Sequence, residues 1–492
     1  MGALIAIADL GNRRNVFHEA TQMMRSLTAR GNESFGVGTP DEVLVCDSLP
    51  QLSDQRIDSP VVLGFNLNRI LTKDIPQPLD NDGLRLVFEG RVLPTSEISD
   101  CKRALSWLEQ KQDTRLHDFV KEVDGSYAMA MLHEKQLLVA RDTLGCKPLY
   151  WGEANGIVAF ASERKALWVL GIEPPQTFPP GGAGSVREGV VSVQGSDAWE
   201  PPIEQEIDLD SAARGLSKLI VESIGKRMGD LKRVAVAYSG GLDSGVIACC
   251  SQATGLDVEL LTVTVKSNGE FEHAKRTAKE LGFPLVAKQY SLTDVRAAIS
   301  QVLQRMEKAN VMDVAIAVPI LWASQLAEEK GVQAIFMGQG ADELFGGYDR
   351  YILAYQRRGP EEARRMMMKD ILNLSELSLE RDEQVSAGTK VELRLPFADR
   401  ELMRFVLALP LSLKIGGVEE SHQKLVLRRV AKLHGIPSSV SERPKRAMQY
   451  STGVDASIRS IAREAGLTPQ MYVLETFNHI RKKLRNAHAC MT

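Results

Sequence analysis

From Ser211 to Gly338 helical periodicity alternates with short apolar runs: SAARGLSKLIVESIGKRM, RVAVAY, DVELLTVTV, EHAKRTAKELG, VPILWASQLAEEKG and VQAIFMG. Strands separated by helices imply a parallel, doubly wound sheet with helices on its faces. Beyond about residue 350 only helical periodicity remains, so a helical C-terminal part is expected. The first part of the chain reads differently. LVFEGRV, SYAMAMLH, QLLVARD and GIVAFAS are short alternating runs bounded by Gly, Asp or Asn, which predicts strands and hairpins with a few helices. Proline and acidic residues gather between residues 172 and 208, as in a last hairpin followed by a linker. A chain of 492 residues exceeds one ordinary core, so two domains are expected, residues 1–200 and 209–492.

A hydrophobic share of 44% beside 25% charged residues supports a sizeable core in each half. The net charge of −3 argues neither for nor against nucleic acid, which is not expected as a partner. MGALIAIADLGNRR has no basic leader region and no apolar run reads as long enough to span a bilayer, so no membrane is expected and the location is expected to be cytoplasmic. The six cysteines form no CxxC pair and no zinc-ligand cluster, and are expected to be reduced thiols.

The run VAVAYSGGLDSGVIACC ends an apolar strand in Ser239, Gly240, Gly241, Leu242, Asp243 and Ser244. In a parallel sheet such a loop lies at the carboxyl edge, where free N–H groups and a helix N-terminus form an anion site. The glycines let the backbone approach a phosphate, and Ser239 and Ser244 can donate to its oxygens. Asp243 would repel that phosphate unless a divalent cation lay between them, which predicts magnesium. No GK[ST] follows, so transfer of a terminal phosphate is not the natural reading. A second loop, AIFMGQGADELFGGYDRY, again runs from an apolar strand into a glycine-rich turn, with Gly338 and Gly340 beside Gln339 and the carboxylates Asp342 and Glu343. Two such loops in one sheet would face each other across a cleft, sharing a metal and a pyrophosphate.

SGGLDS resembles the pyrophosphate loop of the N-type ATP pyrophosphatases, and GQGADELFGGY the second signature of their asparagine synthetase branch. KVELRLPFADRE resembles the family's E-x-R-x-P-F-x-D, matched by Glu392, Arg394, Pro396, Phe397 and Asp399. QKLVLRRVAKLHGIPSSVSERPKRAM resembles the lysine-bearing helix and the R-x-K turn of the same branch. The resemblance implies a fold of the adenine nucleotide alpha hydrolase type. It also implies an enzyme that uses ATP and Mg2+ to turn a small carboxylate into an acyl-adenylate, releasing pyrophosphate, before ammonia or another amine displaces AMP. On that pattern Ser239, Gly240, Gly241, Leu242 and Ser244 bind pyrophosphate with Gly338 and Gly340, and Asp243 and Asp342 hold magnesium. The strand end at Val263 to Val265 cradles adenine, and Lys424 steadies charge developing on the phosphates or the tetrahedral intermediate. Two readings stand for Lys424, this one and an ordinary solvated helix face. Glu392 and Arg394 either shape the substrate cleft or form a purely structural buried pair.

One departure lies in the second loop, where the family writes G-E-G and this chain has Gln339. An amide cannot act as a base at neutral pH, so either the substrates differ from aspartate and ammonia or Gln339 holds the loop by hydrogen bonds.

DGSYAMAMLHEKQLLVARDTLGCKPLYWGEANGIVAFASERKAL, Asp124 to Leu167, resembles the glutaminase half of these enzymes, an Ntn-hydrolase αββα sandwich. That chemistry needs a cysteine at position 2, and here it is glycine. GFNLNRI stands in place of the family's H-x-R-L, and EGR (Glu89 to Arg91) in place of N-G-E. The first domain is therefore expected to be catalytically silent, with a separate glutaminase or ammonia donor as a possible partner and a homodimer expected by fold analogy. Against the active ligase stands a non-catalytic descendant serving as a binding or assembly module; a third option, a thiolating or tRNA-modifying member of the wider pyrophosphatase group, has the missing CxxC and the asparagine-type second loop against it. Retention of Ser239, Asp243, Ser244, Asp342 and Lys424 together favours the ligase.

Overall fold

The computed structural model describes residues 1–111, 116–133, 136–195, 202–266, 268–416, 423–444 and 448–489. It divides into two units. The first comprises Met1–Ala198 with Ala387–Lys390 and His479–Thr492, and the second Trp199–Ser386 with Val391–Asn478.

Among its described residues the first unit carries a seven-stranded and a six-stranded antiparallel sheet. Alternation along the strand Gly2–Asp9 sets the layering, because successive side chains point to opposite faces. Leu4 and Ala6 join Phe65, Val139 and Phe160 in one fully buried cluster between the sheets. Ile5 and Ile7 face the other way and pack with Met23 and Met24 of the helix Phe17–Ser26. The second sheet presents Phe88, Met129 and Met131 to Leu105 and Phe119 on the helices Asp100–Lys111 and Leu116–Glu122. These layers make the αββα sandwich that the sequence predicts.

The second unit is built on a five-stranded parallel sheet. Its spatial order is Leu285–Gln289, Asp257–Thr264, Arg233–Ala237, Ala334–Phe336 and Glu392–Arg394. The sheet reverses direction of growth at Arg233–Ala237, whose neighbours are the next strand in the chain on one side and Ala334–Phe336 on the other. That is the topological switch point of a doubly wound sheet, where ligands sit at the strands' carboxyl ends. Val234, Ala235 and Val236 are wholly buried, each valine contributing about 1.5–3 kcal/mol by its removal from water.

Two expectations need correction. The strand Glu392–Arg394 lies in the stretch read as wholly helical; three residues are too few to show a period of two against the helices around them. The helix Val311–Glu329 is long and apolar enough to cross a membrane by length and composition, contrary to the reading that no run is. Val314, Val318, Ile320 and Leu321 are buried within the second unit, so this is a core helix whose apolar surround comes from protein.

Candidate active site

The switch-point strand ends at Ala237, and Tyr238 to Gly241 carry the chain into the helix Leu242–Ala253. Gly241 caps this helix with no side-chain hydrogen bond to its first turn, which leaves backbone N–H groups directed out of the loop. Gly240 adopts φ +75°, and a Cβ there would come within 2.8 Å of His273 Cδ2. The turn therefore needs glycine both for its backbone and for its contact with the helix Gly269–Glu280. Ser239 Oγ accepts from Gly241 N at 3.3 Å and lies 3.4 Å from Ser244 Oγ, so the two hydroxyls close the loop on one another. Leu242 is buried beneath it.

The second loop follows the neighbouring parallel strand and faces the first at the same edge. A Cβ on Gly338 would lie 3.1 Å from Asp243 Cβ, so this glycine lets the two loops touch. Gly340 turns the chain at φ +86° into the short helix Ala341–Phe345, which carries Asp342. Lys424 bridges the pair. Its Nζ is 2.6 Å from Asp243 Oδ2 and 2.7 Å from Asp342 Oδ1, with the lysine side chain 4% exposed. Burial works against this ammonium, yet the two carboxylates more than offset that cost and hold it above the usual lysine range. Lys424 itself stands at φ 58°, a left-handed conformation that a non-glycine residue keeps only when its surroundings fix it. The solvated-face reading of Lys424 is thus excluded by its burial.

Between the carboxyl ends of the first two strands lies a cleft of about 560 Å³ including its open mouth. Val263 and Thr264 line it with Ser239, Phe271, Met337 and Met448. Its apolar walls suit the face of a nucleobase, and it opens onto the Ser239 loop. Phe271 and Met448 escaped the sequence reading because an apolar side chain on a helix reads as core until the fold sets it at a strand end. Glu343, in the second loop, is 5% exposed and accepts from Tyr348 Oη at 2.8 Å.

The remaining candidates sit elsewhere. The Gln339 side-chain amide lies beside Asp382, a fully buried carboxylate that accepts from Arg381 Nε at 2.8 Å. Arg394 and Glu392, offered above as catalytic candidates, belong to a buried network. The Arg394 guanidinium bonds the Glu392 carboxylate at 3.1 Å, Asp230 at 2.9 Å and the Arg227 carbonyl. Asp230 precedes the switch-point strand, at the end opposite the two loops. The pair therefore fastens the sheet and does not line the cleft. Lys445, of the R-x-K turn, lies outside the described residues; Arg443 of that turn pairs with Glu270 at 2.7 Å.

In the first unit, Gly2 lies in the strand register opposite Leu67. A Cβ added to it would be driven into the backbone carbonyl of Asn66. Nearby Glu89 is fully buried, accepting from Arg30 Nη2 at 2.5 Å and from Ser162 Oγ at 2.5 Å. Arg91 engages Asp74 and Asp100 at 2.5 and 3.2 Å. Burial opposes the charge on Asp74, but the Met1 amine and Arg91 override it and hold the carboxyl below its usual range. These charged groups thus satisfy one another.

An asparagine synthase family model matches residues 215–359 and 352–479, and a glutamine amidotransferase domain model matches residues 79–169. A Methanocaldococcus jannaschii protein, provisionally named glutamine-hydrolysing asparagine synthetase 1, is 28% identical over 94% of this chain and 95% of its own. Glutamine-hydrolysing asparagine synthetase 1 of Arabidopsis thaliana is 27% identical over 92% of this chain and 78% of its own. Asparagine synthetase B of Escherichia coli is 24% identical, over 89% and 80% respectively.

Proposed function

The chain belongs to the asparagine synthase family and is an ATP-dependent ligase; on that premise we propose that it forms an amide from a small carboxylate, aspartate or a related acid, and ammonia or another amine, without hydrolysing glutamine. The observation that carries this reading is the meeting of the two loops, with Lys424 between Asp243 and Asp342 and an apolar cleft beside the first loop. In this reading the adenosine occupies the cleft at Val263, and the N–H groups of Gly240 to Ser244 receive the phosphates leaving as pyrophosphate. A carboxyl oxygen of the acid attacks the innermost phosphorus, the bond to pyrophosphate breaks, and an acyl-adenylate forms. The amine then adds to the acyl carbon and AMP departs. Lys424 is the fixed cation nearest these events, and such a charge at a developing anion is worth about 3–4 kcal/mol.

Asp243 and Asp342 suit magnesium: two partly exposed carboxylates share one cationic centre, the donor type that holds this ion together with phosphate oxygens. Bound there, the ion would neutralise charge on the phosphates. Residues 209–492 would form the synthetase domain and residues 1–200 a silent glutaminase-like domain. The clash at Gly2 and the self-paired Glu89 support silence, since neither a thiol nor an anion-stabilising donor is available at those positions. Nitrogen then comes from free ammonia, a partner enzyme or an amine of the substrate. A cytoplasmic setting, where ATP is plentiful, and a homodimer complete the proposal.

The test is exchange of labelled pyrophosphate into ATP in the presence of Mg2+ and a panel of small acids, followed by amide formation with ammonium or with glutamine. Exchange with one acid, and amide from ammonium but not glutamine, is expected. Absence of exchange with every acid would turn the reading toward a binding module; amide from glutamine alone would refute the silent first domain.

A further inference from the structure

The helix Gly269–Glu280 presents His273, 7% exposed, to the underside of the Ser239 loop. Its Nε2 lies 3.0 Å from the Gly240 carbonyl oxygen, and its Nδ1 lies 3.0 Å from Arg276 Nη2. A guanidinium can only donate and a carbonyl can only accept, so one tautomer satisfies both contacts. Nδ1 carries the lone pair facing Arg276, and Nε2 carries the proton donated to Gly240. The imidazole thereby links a helix to the carbonyl of a glycine at φ +75°, the residue on which the loop turns. Were that carbonyl to rotate, the adjacent Gly241 N–H would rotate with it, because the peptide unit is planar.

We infer that His273 is a positioning residue of the nucleotide loop, holding the Gly240–Gly241 peptide so that its N–H stays on the Ser239 hydroxyl and keeps that hydroxyl turned to the bound phosphate, and that it does so only as the neutral imidazole. This rests on the reading of the loop as a phosphate site. The surroundings oppose a charge on the ring. Arg276 and Glu270 face it from its own helix, and Arg443, itself paired with Glu270, faces it from the segment after Ser441. Burial is the main cause that pulls its pKa below the ordinary histidine value, helped by the two guanidiniums and opposed by the Gly240 bond and by Glu270. A proton added at Nδ1 would meet a donor where an acceptor is needed, and Arg276 would be displaced.

The experiment is calorimetric binding of ATP with Mg2+ to the full chain and to His273→Phe and His273→Gln, each between pH 5.5 and 8. The phenylalanine variant keeps the ring but removes the donor; glutamine restores a donor at similar reach. At pH 8 the phenylalanine variant should bind ATP about tenfold more weakly, the loss of one hydrogen bond, and the glutamine variant within about threefold of the parent. The ratio of parent to glutamine-variant affinity cancels the titration of ATP itself, and should fall as pH is lowered through the histidine range. In turnover the defect should appear in KM for ATP, with kcat little changed. Equal affinity of all three proteins, or a pH-independent ratio, would overturn the inference. If the phenylalanine variant does not fold, the pH ratio alone decides. A parent protein that binds no ATP would instead overturn the phosphate-site reading.

Discussion

Lys424 grips Asp243 with one ammonium against both carboxylate oxygens, Nζ lying 2.7 Å from Oδ1 and 2.6 Å from Oδ2. The two residues are 181 positions apart in the chain, and the packing of the helix that Lys424 begins against the helices Leu209–Arg227 and Leu242–Ala253 brings it to the first loop. The same ammonium reaches Asp342 of the second loop, so three separate segments converge on one positive charge. This ammonium is the counter-charge that the two carboxylates share.

Replacing Lys424 with methionine should therefore have opposite effects on two measurements. Turnover should fall about 10²–10³-fold, as when a preorganised donor is removed from a developing anion. Binding of Mg2+ in the absence of ATP, read by calorimetry, should strengthen, because Asp243 and Asp342 would be left facing each other without a counter-charge. A variant whose affinity for the ion matches that of the parent would show that the two carboxylates do not form a cation site.

In the first unit the prediction concerns restoration. Gly2→Cys puts a thiol where relatives of the glutaminase type need one, yet its Cβ meets the Asn66 carbonyl in a paired strand. Backbone cannot yield as a flexible side chain does, so a loss of about 1–3 kcal/mol is expected, with no glutamine hydrolysis gained. Urea denaturation and an ammonia-release assay check the two halves of this statement. Detectable hydrolysis by the single variant would mean that Gly2 alone had silenced the domain.

Lys414 is a buried amine with Arg364 and Glu204 as its charged neighbours. Burial, with Arg364 adding to it, lowers its pKa to about 7. The unfolded chain binds this proton up to the ordinary lysine value near 10.4, while the folded protein gives it up from about pH 7. More protons are bound by the unfolded state throughout that window, so this group's contribution rises with pH and its cost is fully present at pH 7 and below. Lys414→Met should stabilise the protein by a few kcal/mol at pH 7, with the gain shrinking towards pH 10. Thermal melts at four pH values read this directly; a gain constant across the range would exclude a charged Lys414 as its source.

Arg394→Met tests the framework assignment made above. It leaves Asp230 and Glu392 buried without their shared partner, both carboxylates being under 5% exposed. Loss of one member of such a network costs about 3–5 kcal/mol. Stability should fall by that order while KM for ATP stays near the parent value, and a large rise in KM at unchanged stability would return Arg394 to the cleft.

These contrasts mark what the sequence could and could not reveal. The two glycine-rich strand-end loops were legible because each is local: an apolar strand, glycines, then a helix, all within some 15 residues. So was the alternation that dictates a parallel sheet. The partners of each charged residue were not legible, since they depend on which strands become neighbours. Arg394 looked catalytic because it lies in a family motif, and only the approach of Asp230, 164 residues earlier, shows where its guanidinium is spent. His273 lacked any signal because a histidine inside an amphipathic helix has no spacing that announces the loop it supports. Lys424 could be judged a solvated position by its helical neighbours until the fold buried it.

Gln339 offers the last and sharpest case, since its two sequence readings predict different outcomes for Gln339→Glu. In the structure the amide lies beside Asp382, which is wholly buried and whose pKa is raised, chiefly by that burial. A glutamate in its place turns a donor into an acceptor and brings a second carboxylate against the first. Only one of the two can stay charged in such a site, so the new pair must retain a proton to well above the ordinary carboxyl range. The folded variant then binds more protons than its unfolded chain from about pH 4.3 upward, and its stability falls as pH rises through that window. A deficit of about 1–3 kcal/mol at pH 8 is expected, the desolvation cost of an unsatisfied buried group, and it should largely vanish near pH 4.5. Ammonia-dependent turnover should not improve, because the added carboxylate is occupied with Asp382 and is not free to accept a proton from the amine. A variant that is as stable as the parent at pH 8, and faster with ammonium, would show that position 339 serves the nucleophile and not the loop.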